Sequence, residues 1–433
     1  MAHHETLGPR DRPPLGYWIP LSIQHVFAMF GATILVPLLT GLNPATALFT
    51  AGTGTLIYIL LTGAKVPAFL GSSFAFIPPL IAIAGPGGVN MPYALGGAFA
   101  AGLFYILVGI IIKFAGTGWL DRALPPVVIG SVIVVIGLNL APTAMAMAMH
   151  VGGDAKGEYS LVLLSIAAVT LAVTVAANIF LKGFFSTIPI LIGLVAGYLF
   201  TLIMGFFFPA YQIIDFQIVR DAPWFGFPVF VLPKFNFVAV LTFVIVSLAT
   251  ICEHLGDTLV TSKVVGQDFY KNPGLHRTLA GDGLATSWAA LWGGPPNTTY
   301  GENIGVMAIT RVYSVWVIGG AAVVAVILSL VQKFGALIRT IPTPVMGGIS
   351  MLLFGIIASS GLRTIVESGV DYKDKRNLTI SSVIFVIGIG GGRLAFAITR
   401  DIEFQLAGVA LATVVGIILN LIFPPSRGTI KNE

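Results

Sequence analysis

Three acidic side chains stand where the rest of the sequence is apolar. Glu253 and Asp257 lie within residues 235–262, and Glu302 lies in Asn297-Thr298-Thr299-Tyr300-Gly301-Glu302-Asn303. In an apolar run of membrane length an acid is unfavourable by about 3 kcal/mol or more at the bilayer centre, so such a group marks a site by default. Glu253 and Asp257 are four residues apart and share one helix face. His254 points about 100° away and need not share their role. Two carboxylates near mid-membrane can accept N–H hydrogen bonds from a small neutral ligand. Backbone amides freed where a helix breaks can donate to its carbonyls, and a ring such as Phe74 can stack on a flat ligand. That set suits a cyclic imide or amide better than a sugar, an amino acid or a metal ion. An amino acid would need a cationic partner, and no basic residue lies mid-span. A metal would need a His or Cys cluster, and none accompanies the acids. Two acids can do general acid/base chemistry, but no nucleophile stands beside them. Burial disfavours the charged form of a carboxyl, so a buried acid can carry a proton at neutral pH. Asp257 and Glu253 are the candidates for proton coupling. The plainer reading of Asp257 is that it satisfies nearby helix ends.

The elements that must position these groups follow from composition. Of 433 residues, 56% are hydrophobic and 9% charged, where soluble domains carry about 25% charged residues. So few charges cannot cover a water-facing surface, and the chain is expected to be a polytopic α-helical protein whose solvent is lipid. The single cysteine, Cys252, excludes a disulfide within the chain and a Cys-rich metal site. No basic patch is interleaved with aromatics, so the net charge of +5 points to membrane orientation and not to nucleic acid. His3 and His4 lie in a polar N-terminal tail without a signal-peptide apolar core, and read as tail, not as a metal site. Neither a metal nor a cofactor is expected.

A spanning helix needs roughly 20 apolar residues. Fourteen segments qualify as spans: 17–39, 45–62, 66–84, 92–114, 125–141, 160–180 and 185–208, then 235–262, 275–292, 296–309, 312–331, 342–361, 378–391 and 404–423. The third holds Pro67, Pro78 and Pro79, and the tenth holds Pro296, Gly301 and Gly305, so both are broken helices. With both termini cytoplasmic, sixteen of the 23 Lys and Arg residues fall on the inner side, as the positive-inside rule requires.

The halves echo each other. Gln24-His25 matches Glu253-His254, Pro126-Val127 with Gly130 matches Pro344-Val345 with Gly348, and Ser72-Ser73-Phe74 matches Asn297-Thr298-Thr299. The offsets are 229, 218 and 225 residues. Two repeats of seven spans are implied, and an odd number inverts one against the other. Paired broken helices in inverted repeats mark the binding site of a secondary transporter. Backbone groups freed at mid-membrane are tolerated only where protein or ligand satisfies them, so the site is expected where Phe74 and Gly301 meet. Gln24 and His25 read as braces.

These residues resemble the nucleobase–ascorbate transporter family, and within it the bacterial uracil permeases. The segment from Asn297 through Glu302-Asn303, Gly305 and Thr310-Arg311 is similar to the family's signature, Gln24-His25 to its first-span motif, and Gly71-Ser72-Ser73-Phe74-Ala75-Phe76 to its third-span strand. The likeness covers nearly the whole chain. It implies fourteen spans in two inverted repeats, with short antiparallel strands in spans 3 and 10. It implies a core domain from residues 17–115 and 235–333, a gate domain from 116–209 and 340–424, and a homodimer formed through the gate. By resemblance, Glu253 and Glu302 hydrogen-bond a nucleobase, the backbone at Phe74 and Gly301 completes the contacts, and Ala32 and Tyr300 lie beside the ring. Gln24, His25, Asn303 and Thr310 support the site. The implied activity is uracil import across the cytoplasmic (inner) membrane by proton symport with alternating access. A xanthine, purine or broader nucleobase symporter of the same fold is the alternative; Glu302 favours uracil, because purine and xanthine members tend to carry Gln there. Asp257 stands where some uracil permeases have His, and Phe354 where some relatives have Tyr.

Overall fold

A computed structural model describes residues 6–208, 213–399 and 402–424 of the chain. His3, His4, Arg400, Arg427 and Lys431 lie outside these residues. The first half forms α1 (Leu15–Thr40), α2 (Pro44–Leu61), β1 (Leu70–Ser72), α3 (Ile77–Ala84), α4 (Met91–Ala115), α5 (Gly118–Ala123), α6 (Pro126–Asn139), α7 (Ala141–Met149), α8 (Leu161–Phe180) and α9 (Pro189–Phe207). The short α10 (Gln217–Asp221) leads to α11 (Phe237–Val265), α12 (Leu275–Leu291), β2 (Asn297–Thr299), α13 (Gly301–Thr310), α14 (Val315–Leu330) and α15 (Gln332–Arg339). Then follow α16 (Thr343–Glu367), α17 (Lys375–Ile389), β3 (Arg393–Thr399), β4 (Ile402–Ala407) and α18 (Gly408–Ile422).

Among the described residues, eight helices are long and apolar enough to cross a membrane, and three shorter apolar ones accompany them. Their starts are written in the sequence. Proline at the first turn opens α2, α4, α6, α9 and α16, where its missing N–H has no intrahelical partner to lose. Asn43, Ser160, Asn236, Ser314 and Asp374 accept hydrogen bonds from first-turn amides of α2, α8, α11, α14 and α17.

Packing follows size more than polarity, as expected where both the neighbour and the solvent are apolar. On α4, the large residues Leu103, Leu107, Ile110 and Phe114 are exposed at helical spacing. The opposite face buries Ala94, Ala98, Ala101 and Gly102. That small face meets α12. A side-chain carbon at Gly283 would lie 2.5 Å from the Gly102 carbonyl, so these two backbones touch only because both residues are glycine. Helix α6 packs on α16 and α2 on α14, while α11 lies against both α4 and α6.

Two boundaries differ from the sequence reading. The polar stretch after residue 141 begins with a helical turn, because α7 extends α6 to Met149. The last span begins at Gly408 and not at 404. Residues 393–399 and 402–407 pair antiparallel, closed by Gly408 donating to the Gly392 carbonyl. Leu394, Phe396 and Ile398 alternate as strand formers do, and of this segment the helix count took in only residues 404–407.

At one end of the bundle the N-terminal residues form a strap. Leu7 bridges Val312, and Tyr313 and Val315 donate to the carbonyls of Leu7 and Pro9. The Arg12 guanidinium sits 3.8 Å from the Trp316 ring centre. The strap thereby holds the link between α13 and α14.

Candidate ligand site between two broken helices

Both proline- and glycine-broken spans are half strand and half helix. Leu70, Gly71 and Ser72 pair antiparallel with Thr299, Thr298 and Asn297. Ser73 and Tyr300 extend the ladder by donating to the carbonyls of Pro296 and Phe69. Edges of a two-stranded pair inside a membrane need partners. Thr55 of α2 supplies one on the β1 side, its hydroxyl accepting from the Leu70 amide at 2.9 Å. Thr286 of α12 donates to the Asn297 carbonyl at 3.0 Å on the other.

After each strand the chain turns into a helix that points its N-terminus inward. The one at Phe74–Phe76 starts as a 3-10 turn and continues into α3, and α13 starts at Gly301. Neither end has a side-chain cap. First-turn amides of a helix lack intrahelical acceptors and carry partial positive charge, so both ends offer donors to a ligand carbonyl.

The carboxylates face the same place. Thr298 donates to Glu253 at 3.4 Å, and Thr299 donates to Asp257 at 2.8 Å. Adjacent residues on β2 thus hold two acids one helical turn apart on α11. Glu302, in the first turn of α13, is part-buried. Together with Phe74, Tyr300 and Gly301 these acids line a cavity of about 50 Å³, room for a few waters. Further lining comes from Ile133 of α6 and from Ile356, Ile357 and Ser360 of α16. A cleft of about 230 Å³ shares Gly301, Glu302 and Ile356 with the cavity and runs between α1, α13 and the segment 186–190.

The remaining residues singled out in the sequence sit behind this surface. The Tyr300 hydroxyl accepts from Thr33 and donates to the Ser72 carbonyl, both at 3.2 Å, so its ring lies flat over Gly71 with its polar end turned into the protein. Ala32 is fully buried in α1 and is not part of the cavity wall. Asn303 donates to the ring Nδ1 and the carbonyl of His25 at 3.0 and 3.2 Å, which ties α13 to α1. Gln24 donates to Thr187 at 2.8 Å, linking α1 to the segment before α9. Thr310 closes the end of α13 by donating to the Val306 carbonyl. Phe354 meets Phe74 edge to face, with ring centres 5.6 Å apart.

One acid escaped the sequence reading. Asp282 lies in the middle of α12, is fully buried, and pairs with His254 Nδ1 at 2.8 Å. Thr278 lies 3.1 Å from the other ring nitrogen. The test that exposed Glu253, an acid inside an apolar span, applies equally to Gly281-Asp282-Gly283 within residues 275–292. His254 therefore faces away from the cavity and joins α11 to α12, directly behind Glu253.

Comparison with known proteins agrees with this architecture. The Permease family matches over residues 16–395. The uracil permease of Bacillus subtilis (strain 168) is 53% identical over 429 residues, 98% of this chain and 96% of that protein. The uracil permease of Escherichia coli (strain K12) is 47% identical over 418 residues, 96% of this chain and 94% of that one. Among solved structures, the transmembrane domain of a cyanobacterium bicarbonate transporter, BicA, superposes with a TM-score of 0.66 over 97% of this chain and all of that one. At 16% identity it shows a shared fold alone. A fold of membrane-spanning helices around two broken ones, and near-half identity along almost the full length of permeases, place the chain among membrane permeases and not enzymes: it belongs to the Permease family.

Proposed function

We propose that the chain imports uracil by proton symport with alternating access. Glu253 and Glu302 accept hydrogen bonds from ring N–H groups, and amides at Phe74 and Gly301 donate to ring carbonyls. Phe74 and Tyr300 lie beside the ring, and Asp257, with Glu253, carries the coupled proton. Gln24, His25, Asn303 and Thr310 hold this surface in position. The observation that carries the reading is the single small cavity on which acids from α11 and α13 and two uncapped helix N-termini converge. A uracil ring presents N–H donors and carbonyl acceptors in alternation around one side, which matches that set. The likeness to proteins named uracil permease supports the choice of ligand.

In this reading the chain has fourteen spans in two inverted repeats: the eight long helices, the three shorter apolar ones, and α12, α13 and α17. Residues 17–115 and 235–333 form a core domain and residues 116–209 and 340–424 a gate domain. The chain lies in the cytoplasmic membrane with both termini inside, which the distribution of Lys and Arg supports. Helices α8 and α9 are the least buried of the long helices, leaving faces for lipid or for a second copy paired through the gate. The cleft beside Ser186 and Ile309 shares Gly301, Glu302 and Ile356 with the cavity and is the candidate route to it.

The test is a binding screen of free bases on purified protein across pH, with uptake into proteoliposomes. Uracil should bind, and collapse of the proton gradient by a protonophore should abolish its accumulation. Strong binding of xanthine with none of uracil would replace the substrate assignment with the purine one. Accumulation indifferent to the protonophore would remove proton symport.

A further inference from the structure

We infer that the isoleucines sharing the cavity with the carboxylates, Ile133 of α6 with Ile356 and Ile357 of α16, decide which rings the site admits. The inference rests on uracil as the ligand. The lining divides by element. Its acids and its free helix N-termini come from α11, α13 and the broken spans, while α6 and α16 contribute three isoleucines and one hydroxyl, Ser360. Ile356 and Ile357 stand four and three residues before Ser360, each one helical turn from it on α16.

Uracil has a matching asymmetry. Its polar atoms N1, O2, N3 and O4 occupy one continuous arc, and only the C5–C6 edge is apolar. Turning a polar atom toward isoleucine leaves it without a partner, which is unfavourable. The ring is therefore held with C5–C6 against Ile133, Ile356 and Ile357. That edge is also where the competitors differ. Thymine adds a methyl group at C5, and a purine fuses its second ring across the corresponding bond. Xanthine and uracil share the imide edge, N–H between two carbonyls, so the hydrogen-bonding side alone separates them poorly. The isoleucine side can separate them by volume.

The wall is closely backed at Ile133, while Ile356 is 39% exposed. Ile133 is 4% exposed. A side-chain carbon at Gly256 would come within 2.9 Å of Ile133 Cδ1, so α11 backs this side chain closely. β-Branching restricts χ1 for all three residues. One methylene too many or too few in an apolar pocket changes specificity by roughly 10- to 200-fold.

The experiment measures kcat/KM for labelled uracil and thymine in proteoliposomes for the wild type and for Ile133→Val, Ile356→Val and Ile357→Val, each of which removes one methylene. A volume-conserving Ile357→Leu serves as the comparison. The thymine-to-uracil ratio should rise about tenfold or more in at least one valine variant, by the methylene effect, and should stay near its wild-type value in Ile357→Leu. A ratio unchanged in all three valine variants overturns the inference. Because a ratio is read, a variant with reduced total uptake still reports, and competition binding on purified protein gives the same ratio without transport. A wild type that binds no uracil overturns the substrate assignment itself, a result distinct from an unchanged ratio.

Discussion

Replacing Glu253 by Gln is the most direct challenge to the site. The side chain is 8% exposed, sits on a 29-residue apolar helix, and has one protein partner, the Thr298 hydroxyl at 3.4 Å. That contact is long, so little of what Glu253 does is spent on holding Thr298. Gln keeps the length and one acceptor but loses the charge. A hydrogen bond to a charged group contributes about 1.5–3 kcal/mol. At about 1.4 kcal/mol per factor of ten, Kd for uracil should weaken by roughly 10- to 150-fold. An amide N–H turned toward the ring N–H would push the loss to the upper end. Folding should be preserved, because the substitution is isosteric and Thr298 can donate to the amide oxygen. Titration calorimetry on purified protein, with the thermal midpoint as a folding control, reads both quantities. A Kd within twofold of the wild type, in a variant with an unchanged midpoint, would refute the assignment of Glu253 as a ligand acceptor.

Asp257→Asn should leave uracil binding closer to wild type than Glu253→Gln does, yet make uptake insensitive to a protonophore; full protonophore sensitivity would return Asp257 to a structural role. Gly71→Ala places a carbon 2.5 Å from Tyr300 Cζ, against the ring that covers the strand pair. Overpacking of this kind costs about 1–3 kcal/mol, so the thermal midpoint should fall and binding with it; an unchanged midpoint would mean the strands part easily. Asp282→Ala removes one of the two partners of the buried His254 ring, Thr278 being the other, a loss of about 1–3 kcal/mol. The paired change of Asp282 and His254 to Leu should be less destabilising, and a midpoint lower in the pair than in the single variant would show that the two groups are not one unit.

Much of the site was legible one residue at a time. Glu253, Asp257 and Glu302 were conspicuous because charge is rare in apolar spans, and Pro67 and Pro296 with Gly301 announced broken helices. Asp282 was equally conspicuous by the same test, and only its distance from any recognised motif hid it. Other features carry no local mark. The strand at 402–407 mimics the start of a helix, because apolar strand and apolar helix look alike when both faces are buried or lipid-exposed. The direction of His254, adjacent in sequence to Glu253 but facing α12, depends on which helix lies on which side of α11.

The sequence by itself determined the solvent, the number and length of apolar runs, and the chemical character of the groups trapped inside them. These are sums over single residues and their near neighbours. Only the tertiary structure decided that Thr298 and Thr299 hold two acids, that Tyr300 turns its hydroxyl inward over Gly71, and that Ile133 and Ile357 share the cavity with those acids. Residues 133, 253, 302 and 357 are joined by no spacing rule. They meet because two broken helices satisfy each other's backbone inside a medium that offers no hydrogen bonds, and α6, α11 and α16 pack around that pair.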